Sequence, residues 1–521
     1  MYPQQLLWSA SPLAAVFFVI LALFFGPWKN YKNQPIDDAE RQPLLQALGP
    51  SFALNFDVTL ERFVSYPAAT QVPDTTAVIL NWSRLPDVRR IVALLCGSSL
   101  DQTIAAIIVW NNSPQKLTEH DFVACPKGKL TIRNSPSNLY FQARFIACSQ
   151  ASTHYCFIQD DDYLVWPEII QAVHAYIKRS TSLGVYLLPP HEKLSSDLRA
   201  ISVGSDVHTS FAWLGHGALI PRARAIQFLA LMNWFNASDE ELNMADNYFT
   251  ILSNTFVETW FDQGVELGGG QPFTVGSEGE ERNRRHILRA TDMLESIVAS
   301  NDTSCSQVSE IPDLPYIQRG LQLDPPQVFR APCLGSACLL ETTINILPET
   351  VQHAASSASE MFALETANKK RIGVARMTHY LSHSPSNAVD GNPETAFCSF
   401  DNAKPGDMIS LDVFTSQGLE LQHVELAFLV DVPTESILRA SVFEVGNAGN
   451  RAVSTISYEL VCVDTGIVPP DRDFRFLREC SIQMLPSIDI AGAHVFRARL
   501  QKEMNQNWCI HEVWLRVRRS Q

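Results

Sequence analysis

One stretch restricts the possible folds more than any other: Tyr155-Cys156-Phe157-Ile158-Gln159-Asp160-Asp161-Asp162-Tyr163-Leu164-Val165. An aromatic and β-branched apolar run of this length fits the interior of a sheet. Three consecutive carboxylates do not, because aspartate is depleted in strands and neighbouring like charges repel. A cation at the strand end resolves the conflict. Hard divalent ions take oxygen ligands, and Mn²⁺ or Mg²⁺ sits on one or two carboxylates while phosphate oxygens complete its shell. That is the chemistry of nucleotide-sugar transfer. The competing explanation is an acidic surface turn capping the next helix, with Pro167-Glu168 in its first turn.

A chain of 521 residues is too long for one core and implies two folded domains plus connecting segments. A net charge of −15 and the absence of a lysine- and arginine-rich block exclude a nucleic-acid binder. Eleven cysteines are scattered rather than grouped into zinc-ligand pairs, which suits a few disulfides with one thiol left over.

Along the chain, residues 1–5 form a short tail. Residues 6–28 lack charge and are densely apolar from Leu13 to Phe25. Crossing a bilayer takes roughly 20 apolar residues, so this segment predicts an uncleaved anchor. A cleaved signal peptide fits less well, since no basic stretch precedes it and no small-x-small site stands before Gly26-Pro27-Trp28. Residues 29–73 read as a stem.

From 74 to 300 strands and helices alternate. Apolar strands are expected at Thr76–Asn81, Thr103–Trp110, Leu130–Ile132, the acidic stretch, Val185–Leu188 and Phe211–Ile220, with helices between them. Ser238-Asp-Glu-Glu241 is a capping box that opens a helix carrying Asp246. Such alternation implies a parallel-dominated α/β sheet, in which ligands lie beyond the carboxyl ends of the strands. Asn81, Asn111 and Asp160–Asp162 stand at those ends. Residues 301–370 read as a linker. From 371 to 521 short alternating runs separated by turn residues predict a β-sandwich or jelly roll.

Taken together, Val78-Ile-Leu-Asn-Trp-Ser-Arg84, Val109-Trp-Asn-Asn112, Arg144, Ile158-Gln-Asp-Asp-Asp162 and Asp246 resemble the exostosin-type glycosyltransferase family over roughly residues 75–300. The resemblance implies a GT-A fold, a UDP-sugar donor, a Mn²⁺-type cation and retaining transfer. It also implies roles. Arg84 and Asn111 meet the uridine and ribose end, and Asn138 and Arg144 hold the base or diphosphate. Asp160 and Asp161 take ribose or donor sugar. Asp162 ligates the metal, with Asp160 counted beside it. Asp246 faces the donor sugar near the anomeric carbon, although Ala245 stands where the family has an acidic partner. The later diphosphate arginine is left open among Arg282, Arg284 and Arg285.

Ser382-His-Ser-Pro-Ser-Asn387-Ala-Val-Asp390-Gly391-Asn-Pro-Glu-Thr395-Ala-Phe397 resembles the opening of discoidin or coagulation-factor C-type domains, jelly rolls that often bind glycans. The combined expectation is a single-pass transferase of the Golgi or endoplasmic reticulum membrane with a luminal catalytic domain. It moves a sugar, an N-acetylhexosamine by preference, from UDP to a glycan, glycolipid or glycoprotein acceptor. Lys29 and Lys32 after the anchor oppose that orientation. The rival is a membrane-tethered lectin with an inactive transferase domain. His216, between two glycines, reads more simply as a core histidine than as a sugar contact.

Overall fold

The computed structural model describes residues 60–65, 67, 72–122, 125–204, 206–268, 277–299, 316–318, 328–415, 419, 424–447, 453–468, 476–484 and 492–518. Seven strands organise its first half: β1 (Thr75–Asn81), β2 (Ile104–Asn111), β3 (Leu130–Asn134), β4 (Tyr155–Gln159), β5 (Val185–Leu188), β6 (Ala218–Pro221) and β7 (Glu258–Phe261). They pair in the order β7-β5-β6-β4-β1-β2-β3. Neighbours run parallel except around β6, which is antiparallel to both β4 and β5. Alternate side chains leave opposite faces of a strand, and here both faces are buried. Ala77, Ile79, Ile107, Val109 and Phe157 pack into one apolar cluster, and Val78, Leu80, Ile108, Trp110 and Ile158 into another. Continuous apolar strands are the consequence of that double cover.

Helices supply it. α1 (Leu85–Leu95) starts on Pro86 and buries Val88, Ile91, Val92 and Leu95, one stripe at helical spacing. α2 (Gln142–Ser149), α3 (Pro167–Arg179), α4 (Pro190–Leu198) and α5 (Arg222–Trp234) follow. The capping box forms as expected: Ser238 Oγ accepts from the Glu241 amide, and Glu241 accepts from the Ser238 amide. The helix it opens, α6 (Asp239–Asn243), stops early, and Asp246 begins a separate turn, α7 (Asp246–Phe249). The basic run Arg282–His286 lies inside α8 (Ser277–Ala299) rather than before it. The sheet is thus mixed and mainly parallel, as the alternation of strands and helices implied.

Two antiparallel sheets make the second half. One orders Leu60–Arg62, then Cys509–Arg518, Val424–Val430, Arg478–Met484 and Tyr458–Asp464, with Phe397–Cys398 also on the Cys509 strand. The other orders Phe329–Pro332, Cys338–Thr342, Met408–Val413, Ala493–Leu500, Ser441–Asn447 and Val453–Thr455. Three expectations need correction. The stem contributes an edge strand, Leu60–Arg62, to the sandwich. Phe329–Pro332 and Cys338–Thr342, placed in the linker, are sandwich strands, because their apolar side chains are needed to complete its core. The all-β reading from 371 meets a long helix, α9 (Ala358–Ser382), kinked at Gly373 (φ 72°).

The membrane placement also falls. Among the described residues no helix is long and apolar enough to cross a membrane, and the 6–28 segment on which the single-pass Golgi or endoplasmic reticulum expectation rested lies outside them. Five disulfides join Cys96–Cys125, Cys148–Cys156, Cys333–Cys338, Cys398–Cys509 and Cys462–Cys480. The eleventh cysteine, Cys305, is outside the described residues.

Candidate functional site

β4 ends at Gln159, and the three aspartates leave the sheet in three directions. Asp160 turns to Arg144, whose Nη2 lies 2.9 Å from Asp160 Oδ1. Asp161 turns to Arg84, with Nη1 2.8 Å from its Oδ1, and also accepts from the Trp82 amide at 3.2 Å. Asp162 stands 3.3 Å from the same Arg84 nitrogen. The side chains of Asp160 and Asp162 are 26% and 38% exposed, against 9% for Asp161. Two carboxylates therefore reach solvent, while Asp161 is committed to fixing Arg84 and the end of β1.

A close approach makes this possible. The Asp160 amide donates to the Gly215 carbonyl at 2.9 Å, and a Cβ on Gly215 would come within 2.3 Å of Asp160 Oδ2. Any side chain there would push the Asp160 carboxylate aside.

Arg144 is fully buried and reaches in two directions, to Asp160 and, at 3.1 Å, to Asp246 Oδ2. Asp246 is 2% exposed, and its Oδ1 has no hydrogen-bond partner among the described residues. Arg144 thus cannot face a base or diphosphate as the resemblance implied. It is a strut between two acids.

The electrostatics follow from burial. Burial pushes the Asp162 carboxyl up to about 6; the charges of Asp160 and Asp161 push the same way, and Arg84 only partly opposes them. Burial likewise takes Asp246 up to about 7 against the pull of Arg144, and raises Asp161 despite Arg84. Carboxylates crowded in this way gain from a positive charge. Asp160 and Asp162 offer oxygen donors of the kind Mn²⁺ or Mg²⁺ takes, one or two per ion, so this donor set fits such an ion. Among the described residues, the one grouping of three close metal-type side chains is elsewhere, at Glu435, Cys462 and Cys480, and its two cysteines are disulfide-bonded.

A cavity of about 280 Å³ opens beyond β1 and β2, lined by Asn81, Trp82, Ser83, Leu85, Ser113, Pro114, Gln115 and Leu117, and it adjoins the acids through Trp82, whose amide donates to Asp161. Trp82 is 51% exposed there. Asn111, expected at the ligand, lies behind this wall and is fully buried. Its amide nitrogen donates to Asn134 Oδ1 at 2.8 Å and to the Gln115 carbonyl at 2.7 Å, and its Oδ1 accepts from Asn81 at 2.6 Å. It ties three strand ends together. Asn138 accepts from the Tyr140 amide at 2.8 Å, an Asx turn leading into α2.

The basic run is not brought to the acids by any described contact. Arg285 pairs with Glu240 on the surface, Arg284 covers the Phe362 ring, and Arg282 is half-buried on the same helix. His286 accepts or donates with the Tyr248 hydroxyl at 2.7 Å.

His216 pairs with Glu192, and Tyr163 with Asp262, next to the acid run. Sequence reasoning passed over Trp82, Glu192, Tyr163 and Asp262. The strand-end rule could have found Trp82 and Asp262, since each directly follows the last residues of a strand.

No family model matches the chain, and no curated protein does. Among solved structures, mannosyltransferase PcManGT from Pyrobaculum calidifontis, in complex with GDP-Man and Mn²⁺, is similar at 13% identity and a TM-score of 0.27. The match covers 54% of this chain and 75% of that one. GalNAc-T7 with UDP, GalNAc and Mn²⁺ is similar at 14% identity and a TM-score of 0.27, over 56% of this chain and 63% of that one. Both neighbours hold Mn²⁺ and a nucleotide or nucleotide sugar. At this TM-score neither likeness bears on the reaction.

Proposed function

We propose that the chain is a metal-dependent glycosyltransferase that moves a sugar from a nucleotide-sugar donor to a glycan or glycoconjugate. The observation that carries this reading is the pair of solvent-reaching carboxylates, Asp160 and Asp162, at the end of β4, beside an Asp161 that accepts from the Trp82 amide at the wall of the cavity beyond β1 and β2. A divalent ion held there would supply positive charge to the diphosphate of the departing nucleotide. The rest is the work of the protein's own groups. The exposed Trp82 ring offers a face on which a nucleobase stacks. Arg84, shared between Asp161 and Asp162, keeps the acids from spreading apart before the donor arrives. Asp246, paired with Arg144, is the acid that the exostosin-type motifs set near the anomeric carbon, where a carboxylate favours the oxocarbenium character of a breaking glycosidic bond.

The finer reading is a UDP–N-acetylhexosamine donor and retention of configuration, with the acceptor hydroxyl attacking from the leaving-group side and passing its proton to the departing phosphate. The exostosin-type motifs support it. Ala245 gives some weight to a second reading, a carbohydrate-binding protein whose transferase domain no longer turns over, because one sugar-facing carboxylate is missing.

Calorimetric titration of UDP with and without Mn²⁺ tests the main reading. UDP should bind only with the metal, and Asp162→Asn should weaken that binding by tenfold or more, the equivalent of about 1.4 kcal/mol. Unchanged metal-dependent affinity in Asp162→Asn would sink it. Metal-dependent UDP binding without hydrolysis or transfer would select the second reading.

A further inference from the structure

On the side of the acid run away from Arg84 lies a set of polar groups that donor binding leaves unused. Asp262, directly after β7, is 8% exposed. Its Oδ1 accepts from the Tyr163 hydroxyl at 2.7 Å, while Oδ2 has no hydrogen-bond partner among the described residues. His216 stands in the turn before β6. Its Nε2 faces Glu192 Oε2 at 3.2 Å, and its Nδ1 likewise has no partner among the described residues. The two halves touch, the Tyr163 ring standing edge-on to the imidazole with centroids 4.5 Å apart. Both reach the acid run, His216 through Gly215, which lies against Asp160, and Asp262 through Tyr163, the neighbour of Asp162.

A buried network that served packing alone would satisfy its own atoms. Here the imidazole Nδ1 and the carboxylate Oδ2 are bare, and Glu192 Oε2, which faces the imidazole as an ion pair, makes no hydrogen bond among the described residues either. Glu192 fixes the imidazole and Tyr163 fixes the carboxylate, so the bare Nδ1 and Oδ2 have set directions. An imidazole N–H donates and a carboxylate oxygen accepts. Adjacent hydroxyls on a sugar ring present the complementary pair, one oxygen to accept and one O–H to donate. The charges nearby select further. Glu192, Asp262 and Asp160 outnumber the one imidazole, which disfavours an anionic ligand.

We propose that His216 and Asp262 form the acceptor subsite of the transferase, taking a neutral pyranoside through two adjacent free hydroxyls, with Glu192 and Tyr163 as positioning residues. Next to Tyr163 runs a short antiparallel pairing of Val265–Glu266 with Tyr163–Leu164, and the Leu267 amide donates to the Asp162 carbonyl at 2.8 Å. An acceptor would enter past this two-residue pairing.

The proposal rests on the transferase reading, and the two fail differently. The test uses the full chain with Mn²⁺, a UDP-sugar and a panel of methyl α- and β-pyranosides as acceptors, comparing the parent with Asp262→Asn, His216→Gln and Glu192→Gln. Loss of a hydrogen bond to a charged group should raise the acceptor KM roughly ten- to a hundredfold. The donor KM and the Mn²⁺-dependent UDP affinity should stay at the parent values. Thermal melts identify any variant that does not fold, and the remaining variants then carry the comparison. A parallel loss of UDP affinity assigns these residues to the donor and overturns the proposal. So does an unchanged acceptor KM, or a parent enzyme that accepts none of the neutral glycosides while still binding UDP. A parent that binds no UDP with Mn²⁺ removes the transferase reading first, and the subsite with it.

Discussion

Arg144 shows how one buried cation can decide the shape of a site. Its guanidinium is out of solvent and bridges Asp160 and Asp246, residues carried by different elements. The pairing raises the already high pKa of the arginine although burial opposes this. Removing one member of a buried ion pair leaves the other charge unpaired, at a cost of about 3–5 kcal/mol. Arg144→Met should therefore lower the unfolding free energy by about that much in urea titrations. Adding Asp246→Asn should recover part of the loss, because one stranded carboxylate is then neutral. Arg144→Lys should restore little, since a point charge cannot replace a fork between two acids. Additive effects in the double variant would refute the strut. A smaller substitution tests the crowding from the other side. Gly215→Ala forces a methyl against Asp160 and should weaken Mn²⁺-dependent UDP binding even where the fold survives. The acids themselves were legible in the sequence because a charged triplet cannot belong to a strand. The role of Arg144 was not, because a guanidinium that binds phosphate and one that braces carboxylates have the same letter and the same motif spacing.

The acid run is presented by β4, and the way β4 is anchored sets how firmly. Cys156 on β4 is bonded to Cys148 at the end of α2, the helix that carries Arg144, so strand and strut share one covalent link. Reduction of this pair, or Cys148→Ala with Cys156→Ala, should lower stability by roughly 2–3 kcal/mol, the effect of a short closed loop, and loosen the Arg144–Asp160 contact. At the other end of β4, the Asp74 carbonyl accepts from the His154 and Tyr155 amides, and its carboxylate accepts from His174 at 2.6 Å and from Lys178 at 2.9 Å on α3. Burial pushes this carboxyl up, but the two α3 partners outweigh it and hold it well below the ordinary range. A depressed folded-state pKa stabilises the fold above the unfolded value of about 3.9 and is lost as pH falls below it. The urea midpoint should accordingly drop more steeply below pH 4 in the parent than in Asp74→Asn; matching slopes would exclude Asp74 as the cause. The strands and the Ser238 cap could be read from the sequence because each rests on a local pattern. The elements that were misjudged depend on distant partners. α9 is the clearest case: Met361, Phe362, Glu365 and Ile372 are buried against elements far away in the chain, and Gly373 interrupts the periodicity that would have marked a helix.

At the scale of the whole molecule, the two halves share a core. Ala337, Leu339 and Phe414 from the sandwich lie in the same apolar cluster as β1, β2 and α3, while Leu194, Leu198 and Phe261 from the sheet domain lie in the cluster of the sandwich. Polar contacts follow the same seam. Arg330 reaches Glu258 on β7 at 2.8 Å and Glu341 on its own sheet at 2.6 Å, Arg199 reaches Glu365 at 2.9 Å, and Gln263 donates to the Ser386 carbonyl at 2.8 Å. Lys193 stands over both Phe261 and Phe329. Domains joined by a small polar interface move independently, whereas a large apolar one couples them. The sandwich is therefore part of the platform on which β7 and Asp262 are carried, which argues against a free lectin module tied to a separate catalytic domain. A chain ending at residue 300 loses the cover of Phe261 and the Arg330 pair, so it should be expressed insoluble or without a cooperative melt. The longer chain should show one transition by circular dichroism and by intrinsic fluorescence. Arg330→Met, which strands Glu258 and Glu341 at the seam, should lower that single midpoint rather than split it into two. Two separated transitions, or a truncated chain that melts cooperatively and still binds UDP with Mn²⁺, would show that the halves fold apart.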